Sequence, residues 1–248
     1  MKALGWFLLA LALFVATLVA SFPASLAWQW WRPMDVPLAL VDVRGSVWHG
    51  GAAQVHWRDR DLGSLTWTVR PSALLTGRLD AALRLSGPAV LTGRLSQGID
   101  TSEFTDVRLE VPPQWLTDAL MSQGLSAGGR VSVTLARAVV KSGRITALSG
   151  ALHWDDAVVN VGTAVSLGRL SAPFSLADAQ RVQGTVQDGG GPLSIRGTFA
   201  ADPSHYRIRL TLGARAPGVR PLLDTLGEPL PDGQRLLLIE QRIEPGSF

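Results

Sequence analysis

The 248-residue chain contains no cysteine, two lysines (Lys2 and Lys141) and one tyrosine, Tyr206. The missing cysteine excludes disulfides, thiolate metal sites and a cysteine nucleophile. The scarcity of lysine and tyrosine explains a sequence pI near 10.1 beside a net charge of only +3. Nearly every cation is an arginine, so few groups titrate around that pH and a small arginine excess sets the pI. A nucleic-acid binder gathers its surplus charge into a patch. Here arginine and carboxylate intermingle, as in Arg58-Asp59-Arg60-Asp61, which reads as solvated surface. No nucleic-acid partner is expected.

Charge is also missing from one long interval. Between Lys2 and Arg32 no charged residue occurs, and Leu4 to Ala20 is almost unbroken Leu, Ala, Phe and Val. About 20 helical residues cross a hydrocarbon core of ~30 Å, so Leu4 to Phe22 is long enough to span a membrane. Trp6 at one end and Trp28, Trp30 and Trp31 at the other form an aromatic belt at headgroup level. A cleaved signal peptide with Ser25-Leu26-Ala27 at its scission site is the alternative, but its apolar centre is normally shorter. Positive charges flanking the segment balance, and the short basic tip favours the N-terminus inside with the remainder exported. The expected division is residues 1–31 as tip and anchor and 32–248 as the exported domain, enough chain for one generous domain or two small ones.

From residue 45 onward the apolar pattern has period two. Leu65, Trp67 and Val69 alternate with polar residues, as do Leu79 to Leu85, Val131 to Leu135 and Tyr206 to Leu212. Such runs are strands with one apolar and one polar face. Their separation by Ser86-Gly87-Pro88, Ser126-Ala127-Gly128-Gly129 and Asp188 to Pro192 is too short for helical crossovers and points to antiparallel meanders. The predicted fold is all-β: a curled antiparallel sheet, an open barrel or groove-like sandwich, preceded by one transmembrane helix. Two short helices, Pro113 to Gly124 and Val219 to Gly227, interrupt it. An internal echo joins Gly45-Ser46-Val47-Trp48 with Gly150 to Trp154, and Leu62-Gly63 with Leu167-Gly168. It is compatible with two related halves, about 42–112 and 128–240, and equally with chance likeness between glycine-rich strands.

No catalytic, metal or cofactor site is legible. His49, His56, His153 and His205 lack metal-ligand spacing. Adjacent Asp155 and Asp156 diverge on a strand and read as a turn. Gly189-Gly190-Gly191 lacks the lysine and helix of a phosphate cradle and reads as a hairpin loop. The chain is not expected to be an enzyme. Five tryptophans lie outside the membrane segment and its belt: Trp48, Trp57, Trp67, Trp115 and Trp154. They mostly occupy apolar faces, as core residues or as the lining of a groove for an acyl chain. Lipid is the only small ligand considered.

The apolar N-terminus, Gly45 through Ala52, Leu62-Gly63-Ser64-Leu65-Thr66-Trp67, and Pro71 with Leu74-Leu75 and Gly77 together resemble the type II secretion system protein N family. So does Leu222 to Leu238, with Leu226-Gly227 and Pro231-Asp232-Gly233. The resemblance implies a single-pass inner-membrane protein of Gram-negative bacteria with its bulk in the periplasm. It further implies an accessory subunit of the protein secretion machine, partnered with other envelope proteins and carrying no catalytic residues.

Overall fold

The computed structural model describes residues 14, 17, 21–31, 37–58, 60–112, 115, 126–160, 164–178, 180–223 and 227–242. The chain divides into two compact units, residues 1–99 and 100–248.

Among the described residues the first unit holds the helix α1 (Ala24–Trp31) and the strands β1 (Leu38–Gly45), β2 (His49–Trp57), β3 (Arg60–Arg70), β4 (Leu79–Ser86) and β5 (Val90–Gln97). Each strand pairs antiparallel with the next. Period-two patterning is obeyed: Ala81 and Leu85 of β4 are buried while Ala82, Arg84 and Ser86 face solvent. α1 enters against the β1–β2 turn, where the Val47 N–H donates to the Phe22 carbonyl at 3.0 Å and Pro23 bridges to Ser46. A six-residue 3-10 turn, Pro71–Thr76, joins β3 to β4 and ends on left-handed Gly77.

Among the described residues the second unit holds nine strands: β6 (Thr101–Val111), β7 (Ser126–Lys141), β8 (Arg144–Asn160), β9 (Ala164–Asp178), β10 (Arg181–Asp188), β11 (Leu193–Ala201), β12 (His205–Ala214), β13 (Glu228–Pro229) and β14 (Arg235–Arg242). They run in the order β6 to β12, then β14 and β13. A 3-10 turn, Pro217–Val219, leads into a four-residue helix, α2 (Arg220–Leu223). These bury Val219 and Leu223 against Ala157, Leu170, Leu193, Ile195 and Leu212.

The all-β, antiparallel reading holds, and in neither unit does the first described strand pair with the last. Each unit is an open, unclosed antiparallel sheet. The predicted spanning segment, Leu4 to Phe22, lies almost wholly outside the described residues. Among those described, no helix is long and apolar enough to cross a membrane. Of the two predicted short helices, Pro113 to Gly124 is described only at Trp115. Val219 to Gly227 begins two residues early and is described as helix to Leu223.

Two turn predictions were wrong. Ser126 to Gly129 opens strand β7, and Asp155-Asp156 lies inside the 17-residue strand β8. Asp156 adopts a left-handed φ of 51°. Between the pairs Trp154–Leu170 and Ala157–Gly168, β8 advances three residues while β9 advances two. This is a β-bulge, and the residue types that tolerate left-handed geometry in turns tolerate it here also.

The same irregularity recurs in the first unit. Ala52 pairs with Leu65, Val55 with Gly63 and His56 with Asp61. Trp154, Ala157 and Val158 pair with Leu170, Gly168 and Ser166 in identical steps. Each double bulge turns on a glycine, Gly63 at φ 100° and Gly168 at φ 77°, that packs beside a second glycine in the following hairpin. That hairpin reads Gly87-Pro88-Ala89 in one meander and Gly191-Pro192-Leu193 in the other. Ala89 and Leu193 are both buried.

Candidate functional site: an uncovered apolar sheet face

In the second unit one register row crosses the sheet from strand to strand: Leu135, Gly150, Phe174, Gly184, Phe199 and Ile208, with Val107 and Ile239 at its ends. Every member points to the same face, because paired residues share a side of the pleat. All are half-buried except Ile239, which is exposed. Among the described residues, the short α2 turn packs only on the far end of this face, over Leu193, Ile195 and Leu212.

Glycine and aromatic residues alternate along the row for a steric reason. A Cβ on Gly150 would lie 2.7 Å from Phe174 Cζ, and one on Gly184 2.5 Å from Phe199 Cε1. Each ring reaches over its glycine neighbour and shields the backbone there. In the first unit Trp67 covers Gly50 in the same way, with a would-be Cβ 2.6 Å from Cζ2. The five tryptophans beyond the N-terminal region are half-buried or, for Trp57, exposed. Trp57, Trp67 and Trp154 lie on strands and Trp48 in the β1–β2 turn, and Trp154 packs against the buried cluster beneath α2. The opposite face of the second unit mixes polar groups with Pro173, Ala200 and Leu238. A groove of about 960 Å³ there is lined by Gln183, Thr185, Thr198, Arg209 and the Arg207–Glu240 ion pair at 2.7 Å.

One carboxylate intrudes on the apolar face. Asp188 pairs in register with Leu170, and its side chain is only 2% exposed. Burial would raise its pKa. Hydrogen bonds from the Arg215 guanidinium and the Ile195 and Gly190 N–H groups outweigh that effect and hold it at about 2. Sequence reading passed over this pair because its members are 27 residues apart.

The histidines do not converge. His49 and His205 are exposed at strand starts, while His56 and His153 are half-buried on β2 and β8. Among the described residues no group of three or more His, Asp or Glu side chains is arranged to hold a metal. Asp202, Ser204 and His205 do meet, at the β11–β12 turn. Ser204 Oγ lies 2.7 Å from the Asp202 carboxylate and 2.8 Å from His205 Nδ1. The hydrogen-bond direction is wrong for a nucleophile. Arg242 Nε donates to His205 Nε2 at 3.4 Å, which leaves the ring proton on Nδ1. The imidazole therefore donates to Ser204, and the serine hydroxyl donates to Asp202. An activated serine instead gives its proton to the imidazole. Asp202, held at about 2 by Ser204 and by the Ser204 and His205 N–H groups, caps the turn.

The model of the family "Type II secretion system (T2SS), protein N" matches residues 37–237, touching every strand from β1 to β14. The chain belongs to that family. Type II secretion system protein N of Vibrio cholerae serotype O1 is 28% identical over 187 residues, covering 72% of this chain and 73% of that one. The protein of the same name from Klebsiella pneumoniae is 25% identical over 223 residues, covering 87% and 86%. That from Pectobacterium carotovorum is 24% identical over 219 residues, covering 85% and 86%. No solved structure matches. The family match takes in both double bulges, the uncovered face of the second unit and the Asp188–Arg215 pair.

Proposed function

We propose that this protein N family member is an accessory subunit of the type II protein secretion system. Residues 1–31 form a short cytoplasmic tip and an inner-membrane anchor. Residues 32–248 lie in the periplasm and act by binding other envelope proteins of the machine, without catalysis. The family match across residues 37–237 is the observation that carries this reading. The uncharged run from Ala3 to Trp31 supports the anchor. The matching double bulges support descent of the two meanders from one repeated unit.

The sheet edges differ in their fitness for strand addition. β1 carries left-handed Asp42, ion-paired to Arg44 at 2.6 Å, and such a kink with charge guards an edge. On β14, β13 pairs only with Arg235 and Leu236, and Leu238 and Ile239 are exposed beyond it. The β14 edge is the favoured docking strand. Deleting residues 32–248 is expected to reduce secretion and to change which envelope proteins co-purify. Unchanged secretion and complex composition would remove the proposal.

A second reading is favoured by the half-buried apolar row, which suits an acyl chain: the β groove binds or transfers lipid. Native mass spectrometry of the detergent-extracted protein is expected to show retained lipid. Its absence would argue against this reading.

A further inference from the structure

The meander topology of the first unit collects exposed apolar groups at one end of its sheet. The β1–β2 turn, the β3–β4 connection and the chain leaving β5 all lie at that end. A hydrogen bond from the Val69 N–H to the Trp48 carbonyl, 2.7 Å, ties the first two together. Leu75 at the tip of the Pro71–Thr76 turn is 90% exposed and Leu74 is 46% exposed, while Ile99, two residues past β5, is 93% exposed. α1 meets the sheet at the same end and presents Trp30, 79% exposed.

The tip is built rather than frayed. Pro71 starts the turn, Gly77 closes it by donating to the Leu74 carbonyl, and the Arg78 N–H donates to the Ala73 carbonyl. A tight turn of this kind cannot fold two consecutive leucines onto the sheet, and it holds them outward between exposed Arg70 and Arg78. Apolar tips flanked by arginine suit the boundary between acyl chains and anionic headgroups.

We infer that this end of the first unit is a membrane-contacting rim, in which Leu74, Leu75 and Ile99 enter the headgroup region of the bilayer beside Trp30. The occupant follows from the chain itself. The apolar run Leu4 to Phe22 ends at Phe22, whose carbonyl is bonded to Val47 in the β1–β2 turn. With no free linker between them, a bilayer holding that run lies against this end of the sheet. The inference therefore rests on the anchor reading.

The cysteine-free sequence makes single-cysteine probes clean. Full-length Leu75→Cys, Ile99→Cys, Phe14→Cys and Arg58→Cys proteins would be labelled with an environment-sensitive fluorophore. Each is placed in nanodiscs of defined phospholipid carrying spin quenchers either at headgroup level or at the middle of the acyl chains. Residue 58, in the β2–β3 turn at the opposite end, serves as reference. Labels at 75 and 99 are expected to be quenched several-fold more than that at 58 by the headgroup-level quencher, and the label at 14 by the mid-chain quencher. Quenching is expected to be stronger with phosphatidylglycerol than with phosphatidylcholine alone. If 14 is quenched but 75 and 99 match 58, the rim is overturned and the anchor stands. If 75 and 99 are quenched and 14 is not, the anchor falls and the rim survives. If none is quenched, both fall. Shielding of 75 and 99 in native envelopes but not in nanodiscs would assign the surface to a protein partner and overturn the lipid assignment.

Discussion

The meanders β1–β5 and β7–β11 share a register and differ in what fills it. Both place a double bulge between the second and third strands, both turn it on a left-handed glycine, and both follow it with a Gly-Pro hairpin. Yet the position after the fourth strand's register row is Leu85 in one and Asp188 in the other, since Leu65 pairs with Leu85 and Leu170 with Asp188. One meander buries a leucine there, while the other buries a carboxylate neutralised by Arg215. Backbone geometry at the bulge is the shared constraint. The side chain beneath it is free to be apolar or an ion pair, provided its polar atoms are satisfied.

The bulge glycines offer the most severe way to break the comparison. A Cβ on Gly63 would overlap the Ser86 carbonyl oxygen and lie 2.7 Å from Gly87 Cα, all backbone. At Gly168 the nearest atom is the Gly190 oxygen at 2.8 Å. Gly63→Ala is expected to cost about 3 kcal/mol and Gly168→Ala about 1–2 kcal/mol, because both add left-handed strain and meet backbone, the first far more closely. Urea unfolding of the two variants checks the order. Equal losses would mean that the two bulges are equally tight and would overturn this ordering.

The ion pair comes next. Asp188 binds its proton more weakly when folded, at about 2, than its ordinary value of 3.8. Its contribution is therefore fully present above about pH 4 and is lost as pH falls towards 2. Asp188→Asn is expected to remove about 2 kcal/mol at neutral pH and to flatten stability across that acid window. A stability–pH curve for the variant that still falls between pH 4 and 2 as steeply as the parent's would sink this assignment.

Phe199→Ala should cost less, roughly 1 kcal/mol, since the ring is half-buried and its main partner is a glycine. Chemical denaturation reads the cost, and lipid retention in the same variant sharpens the second functional reading. Ser204→Ala is expected to have the smallest effect, with secretion unchanged, because the Asp202–Ser204–His205 cluster only shapes a turn. A loss of secretion would reopen the question of chemistry at that site.

Strand existence was legible because an alternating run can satisfy one buried face in only one way. Strand continuity was not. A bulge inserts a residue that resets the alternation, so Asp155-Asp156 and Ser126 to Gly129 resemble turns although the ladder carries on through them. The echo noticed in sequence was mixed. Leu62-Gly63 and Leu167-Gly168 hold equivalent register positions, whereas Trp48 and Trp154 do not, Trp154 standing where Ala52 stands. The uncovered face was foreseeable only as amphipathic strands. Whether a second layer forms depends on long-range packing, which periodicity does not encode. The Asp188–Arg215 pair and the apolar end of the first unit arise from topology, and no local spacing announces them.

The clasp between Phe22 and Val47 also has a mechanical meaning. The chain touches the sheet there, then runs through the eight residues of α1 before it enters β1. A tug on the N-terminal segment is borne first by that contact, with about 12 Å of helix held in reserve behind it. The contact acts as a strain relief, giving way before the strands are loaded. Single-molecule pulling from the N-terminus should register it as a small, low-force extension ahead of sheet rupture.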